Sequence, residues 1–154
     1  MNPTTILRPG LAAGFLLAMA AACASVPLAD PRQDADAKRF AAPAQDNGAL
    51  YVYRSGLMGF VRPIDVSIAG GVSAELAPDT YLRLEGPPGP VELSCRVGDH
   101  RGGQQVEIQA GQTRYVEVSM TIGAWSPGCQ VAEVPSDRGQ AAVRSGKRVN
   151  SQGQ

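Results

Sequence analysis

DTYLRLEGPPGPVELSCRV, residues 79–97, reads as two β-strands around a proline-glycine turn. Tyr81-Leu82-Arg83-Leu84 alternates apolar with polar, and so does Val91-Glu92-Leu93-Ser94-Cys95-Arg96-Val97. That two-residue period belongs to a strand buried on one face. Gly86-Pro87-Pro88-Gly89-Pro90 between them can continue neither strand, because proline fixes φ and donates no ladder hydrogen bond. The pattern predicts a hairpin, with Cys95 on the same inward face as Val91, Leu93 and Val97.

Similar segments recur on both sides of this stretch. Upstream lie Leu50-Tyr51-Val52-Tyr53, with apolar bodies on both faces, then Ile64-Asp65-Val66-Ser67-Ile68 and, after Gly70-Gly71, Val72-Ser73-Ala74-Glu75-Leu76. Downstream, Gly98-Asp99-His100-Arg101-Gly102-Gly103 reads as a polar loop. It is followed by an alternating strand at Val106 and Ile108, a tight turn at Ala110-Gly111-Gln112, a strand from Tyr115 to Met120, and a last strand from Cys129 to Val134. About eight strands in roughly 90 residues, with turn signals every ~8–12, predict an all-β fold, an antiparallel β-sandwich of about 7–8 strands. A short helix is expected from Asp137 to Ser145, and a polar, frayed tail over 145–154. The sandwich domain is expected over 49–144.

The 154 residues carry 14 basic and 14 acidic side chains, so no basic stripe marks a nucleic-acid binder. Glycine (18) and proline (12) are abundant, which suits short strands and turns better than long helices.

Residues 1–22 read as a signal peptide: Arg8 precedes the apolar run Leu11-Ala12-Ala13-Gly14-Phe15-Leu16-Leu17-Ala18-Met19, and Ala20-Ala21-Ala22 are small. That run is too short to span a bilayer core of about 30 Å. Ala20-Ala21-Ala22-Cys23 resembles the bacterial lipoprotein lipobox, departing at Ala20, where leucine is most common. The resemblance implies that Cys23 is lipidated and anchors the mature chain in a membrane. Ala24, in place of aspartate, leaves the outer membrane, facing the periplasm, as the default. Ordinary signal cleavage, giving a soluble periplasmic protein, is the alternative. Residues 24–48, rich in alanine, aspartate, glutamine and proline, are expected to form a flexible tether, so that 23–48 is anchor plus spacer. The competing reading packs Phe40 onto the domain from a short helix.

With Cys23 set aside, Cys95 and Cys129 remain, and in an oxidising compartment such a pair is expected to form a disulfide. No catalytic constellation emerges. His100 is the chain's one histidine, in a glycine-rich loop, and its neighbour Asp99 is badly placed in sequence to orient it. Ser94 and Ser119 lie at outward strand positions rather than in a nucleophile elbow. Glu75, Glu85, Glu92, Glu107, Glu117 and Glu133 read as solvent-face alternates. No glycine pattern cradles phosphate and no ligand spacing suits a metal, so neither cofactor nor metal is expected. Two loops carry large apolar residues: Leu57, Met58 and Phe60 in one, Trp125 in the other. They are candidate partner-binding loops, the competing reading being that they fold back over the ends of the sandwich.

The motifs Leu50-Tyr51-Val52-Tyr53-Arg54, the strand and turn ending at Gly71, the strand at Tyr81, Pro88-Gly89 and Ala110-Gly111-Gln112-Thr113-Arg114-Tyr115-Val116 resemble a bacterial envelope family called domain of unknown function 2846. Their order is also similar to PEGA-type β-sandwich modules. The resemblance covers residues 49–144 and departs at the long proline-rich turn. It implies a lipoprotein β-sandwich with no established activity, and it transfers no catalytic residue. The expected function is a non-enzymatic envelope lipoprotein that binds an envelope protein or cell-wall partner. The alternative is a periplasmic hydrolase or inhibitor acting on envelope polymers through loop carboxylates and His100.

Overall fold

The computed structural model describes residues 26–56, 62–123 and 126–153. The chain runs through α1 (Pro31–Ala37), β1 (Gly48–Arg54), β2 (Ile64–Ile68), β3 (Val72–Leu76), β4 (Thr80–Gly86), β5 (Gly89–Val97), β6 (His100–Ile108), β7 (Thr113–Ile122), β8 (Pro127–Val134), α2 (Ser136–Ser145) and β9 (Lys147–Arg148). Two sheets form, a five-stranded one in the order β8-β7-β1-β4-β9 and a four-stranded one in the order β3-β2-β5-β6. Pairing is antiparallel except for β1 with β7 and β4 with β9, which run parallel. The fold is an all-β sandwich.

Alternation dictates the packing. Leu50 and Val52 of β1 point inward to meet Val66, Leu93, Val106, Val116 and Val118 in the core between the sheets. Tyr51 and Tyr53 point the other way. With Tyr81 and Tyr115 they make up all four tyrosines of the chain, buried on the outer face of the five-stranded sheet beneath Ala37, Phe40 and Val143. Both faces of β1 are therefore covered, and every residue of the strand is buried.

The strands of the opening stretch form, but not as a hairpin. β4 lies between β1 and β9 in one sheet, while β5 lies between β2 and β6 in the other. The chain crosses between sheets at Pro87-Pro88. Two-residue hairpin turns need positive φ, at both central residues in one type and at the first in the other, whereas proline is held near −65°. A Pro-Pro pair thus excludes the turn that would have kept β4 and β5 side by side. The polar loop expected over 98–103 shrinks to Gly98 and Asp99, a tight turn joining Val97 to His100 with Gly98 at φ 57°.

Two terminal expectations are corrected. The tether expected over 24–48 is, from Val26 onward, packed against the sandwich: Val26 is buried in the main core, and Leu28 bridges Val149. Asp30 caps α1 by accepting from the Arg32 amide at 2.8 Å, and Pro31 opens the helix. Phe40 then lays its ring against Tyr51 (5.8 Å between centroids) and Tyr115 (6.5 Å), as in the competing reading. The cause is the tyrosine face, an apolar sheet surface that must be covered. The tail expected to fray over 145–154 is ordered through Gly153. Lys147 and Arg148 pair with Thr80 and Tyr81, Val149 is buried, and Gln152 exchanges backbone hydrogen bonds with Ser73 of the other sheet. An open β4 edge would leave N–H and C=O groups unpaired, and this segment fills it.

Candidate functional site

The strand directions gather the segments of interest at one end of the sandwich. β1 and β7 are parallel neighbours, with Tyr53 opposite Glu117, so the chain leaves the five-stranded sheet after Arg54 and after Ile122 at the same end. Thr80 pairs with Arg54, Ile64 with Leu76, and Val97 with His100, which adds the β3–β4 corner and the β5–β6 turn. The Arg54 guanidinium, buried beneath this end, donates to the carbonyls of Arg62 (2.6 Å) and Leu76 (3.0 Å), tying the root of the 55–63 segment to the facing sheet. Burial holds its pKa below the ordinary arginine value. Five donors in a rigid fork suit this role better than a lysine would. Leu57, Met58, Phe60 and Trp125 lie outside the described residues, as do Cys23 and the signal segment. Ile122, at the root of the second loop, is 83% exposed.

Beneath the same end, Cys95 of β5 and Cys129 of β8 are joined as a disulfide, with Cα atoms 6.2 Å apart. The bond crosses between the two sheets, so it fixes the β7–β8 hairpin over β5. Gly102 of β6 sits against it. A Cβ there would lie 2.3 Å from the Cys129 carbonyl oxygen and 3.2 Å from Cys95 Sγ, which explains a glycine inside a strand.

Ser126 Oγ and His100 Nε2 are 2.5 Å apart across the two sheets. Among the described residues no carboxylate hydrogen-bonds His100, so a serine–histidine pair is present without an acid to orient it. Several carboxylates serve structural ties instead: Glu117 accepts from Ser55 Oγ (2.9 Å) and from Arg138, Glu133 from Arg114, and Glu85 from Arg83 and the Ala44 amide. Glu75 and Glu92 are exposed on the four-stranded sheet. That sheet's outer face is open and polar, with Asp65, Ser67, Ser73 and Arg96 around a shallow depression and Arg96 paired to Asp65 at 2.8 Å. Among the described residues, no group of three or more His, Cys, Asp or Glu side chains could hold a metal ion, and no helix is long and apolar enough to cross a membrane.

A polar hub under the tyrosine face was not foreseen. Asp34 accepts from Lys38 Nζ (2.8 Å), the Tyr81 hydroxyl (2.8 Å) and the Arg148 amide (2.8 Å). Burial alone would raise its pKa, but these hydrogen bonds outweigh it and hold the carboxyl below the ordinary value. Burial and the Asp34 contact push Tyr81 well above the ordinary phenol. Tyr51 donates to the Ala37 carbonyl (2.6 Å) and accepts from Arg83 Nε (3.1 Å). The available signal was four tyrosines at the outward positions of strands whose alternate residues point into the core, a second apolar face that calls for a polar rim.

No family model matches the chain. The likeness to domain of unknown function 2846 therefore rests on the residue pattern alone. The chain is similar to an uncharacterised protein of Haemophilus influenzae, 25% identical over 122 residues that make up 79% of this chain and 73% of that protein.

Proposed function

We propose that this protein is a non-enzymatic lipoprotein of the bacterial envelope, a membrane-anchored β-sandwich that presents an interaction surface to an envelope protein or cell-wall partner. The observation that carries the reading is the disulfide between Cys95 and Cys129, which joins the two sheets inside the core. Such a bond forms and persists in an oxidising compartment, where the signal-like residues 1–22 and the lipobox-like Ala20-Ala21-Ala22-Cys23 would deliver it. Lipid on Cys23 then anchors the chain, and Ala24 favours the outer membrane, facing the periplasm.

Partner recognition falls to the loop end around Ile122 and to the open polar face around Asp65 and Arg96. Cells grown with labelled palmitate should incorporate label into the wild-type chain and lose it in Cys23→Ala. Cross-linking in intact cells should recover a partner that Ile122→Asp weakens. Label that persists in Cys23→Ala, or a cross-linked partner indifferent to substitutions on both surfaces, would contradict the reading.

The Ser126–His100 contact favours a second reading, hydrolysis of envelope polymers. Turnover of cell-wall fragments by the pure protein, abolished by both Ser126→Ala and His100→Gln, would establish it in place of the first.

A further inference from the structure

We infer that the domain sits directly on the bilayer, along the edge made by β9 and residues 26–28, with no spacer between lipid and fold. The inference rests on the lipid-anchor reading and adds which side of the sandwich meets the membrane. Val26 is 5% exposed and belongs to the core between the sheets, so the packed fold begins there. Residues 24 and 25 are all that separate it from Cys23. Three residue steps reach at most about 11 Å even when fully extended. A lipid held in the acyl region thus brings Val26 to the headgroup layer.

The surface around Val26 suits that position. Val26 and Leu28 line an open groove of about 300 Å³ with Ala77, Pro78, Asp79 and Lys147. Leu28 is 45% exposed, one of the two large apolar side chains exposed among the described residues. Lys147 is exposed at the same groove, an apolar stem with a cationic tip at the level of lipid phosphates. The other exposed large residue, Ile122, belongs to the β7–β8 hairpin at the opposite edge of the five-stranded sheet. β8 and β9 are four inter-strand steps apart, about 19 Å at ~4.8 Å per step. Seating the β9 edge on lipid brings the β3–β4 corner of the loop end to the membrane and leaves the β7–β8 hairpin and the open polar sheet facing the aqueous side.

The test uses the full-length lipoprotein, purified from membranes and reconstituted into phosphatidylethanolamine–phosphatidylglycerol vesicles with acyl-brominated lipid as quencher. In a Trp125→Phe background, one chain carries Leu28→Trp and another carries Gln130→Trp on exposed β8. Seating on the β9 edge predicts that Leu28→Trp loses most of its emission to brominated lipid while Gln130→Trp keeps it. Equal quenching of the two, with Cys23 shown by mass to carry lipid, would overturn the seat and leave the anchor reading intact. An unmodified Cys23 would overturn both. A blue-shifted Leu28→Trp indifferent to brominated lipid, in a protein that cross-links to itself, would give the groove to a second copy and overturn the seat.

Discussion

Asp34 joins α1, β4 and β9 through one carboxylate, accepting from Lys38, Tyr81 and the Arg148 amide. Removing it leaves the Arg148 amide and the Lys38 ammonium without their carboxylate acceptor and the buried Tyr81 hydroxyl with only the longer bond to the Asp34 backbone carbonyl, 3.2 Å. Asp34→Ala should therefore cost about 1–3 kcal/mol in urea unfolding at neutral pH. The sign with pH follows from the direction of the shift. The folded pKa lies below the ordinary 3.8, so the contribution is fully present above that value and is lost as pH falls through the folded pKa. The gap between wild type and Asp34→Ala should hold from neutral pH to about 5 and narrow below 3.8, and a gap that widens on acidification would contradict this. Gly102 makes a second residue-scale claim. Gly102→Ala drives a methyl into the Cys129 carbonyl and should destabilise by about 1–3 kcal/mol, non-additively with loss of the disulfide. Cys95 could be placed on the core face from its alternation with Leu93 and Val97. Gly102 could not be explained from sequence, since the backbone it faces comes from β8, 27 positions away at Cys129.

Among the elements, most strands from β1 to β8 were legible because large side chains recur on a two-residue period. The start of β6, His100 to Gly103, read as a loop because it is polar and glycine-rich, and β1 is buried on both faces. Which strand pairs with which was less legible. The Pro87-Pro88 step held the decisive information, a φ incompatible with a tight hairpin, yet proximity in sequence suggested pairing. β9 was illegible because two polar residues, Lys147 and Arg148, give no periodic signal; their pairing answers a need of β4 rather than a preference of their own. Deleting 147–154 should uncover the β4 edge and the site filled by Val149. The expected result is a loss of at least about 2 kcal/mol in chemical unfolding, with self-association seen by sedimentation. Unchanged stability in a monomeric truncated chain would mean that the tail is an ornament. The disulfide acts at the same scale, linking β5 to β8 across 34 positions, and its reduction should cost about 4 kcal/mol on the chain-entropy account. Cys95→Ser/Cys129→Ser with unaltered unfolding would refute that.

Considered whole, the molecule is an asymmetric sandwich. One outer face is closed by helices over tyrosines, the other is open and polar. One lateral edge is stapled by the disulfide, the other by the C-terminal segment passing from Tyr81 to Ser73. The packed course of residues 26–48 changes the functional picture most, because it replaces an expected spacer with a short link to Cys23. Composition could not show this. A segment of alanine, aspartate and proline reads as solvated, and its order depends on the tyrosine face assembled from β1, β4 and β7. Anchoring through Cys23 is the claim on which function and orientation both depend. Mass spectrometry of the amino-terminal peptide of protein extracted from membranes tests it most directly. Lipid anchoring predicts a peptide that begins at Cys23 and carries acyl chains on that residue; a peptide beginning elsewhere, or a Cys23 with a free thiol, would contradict it.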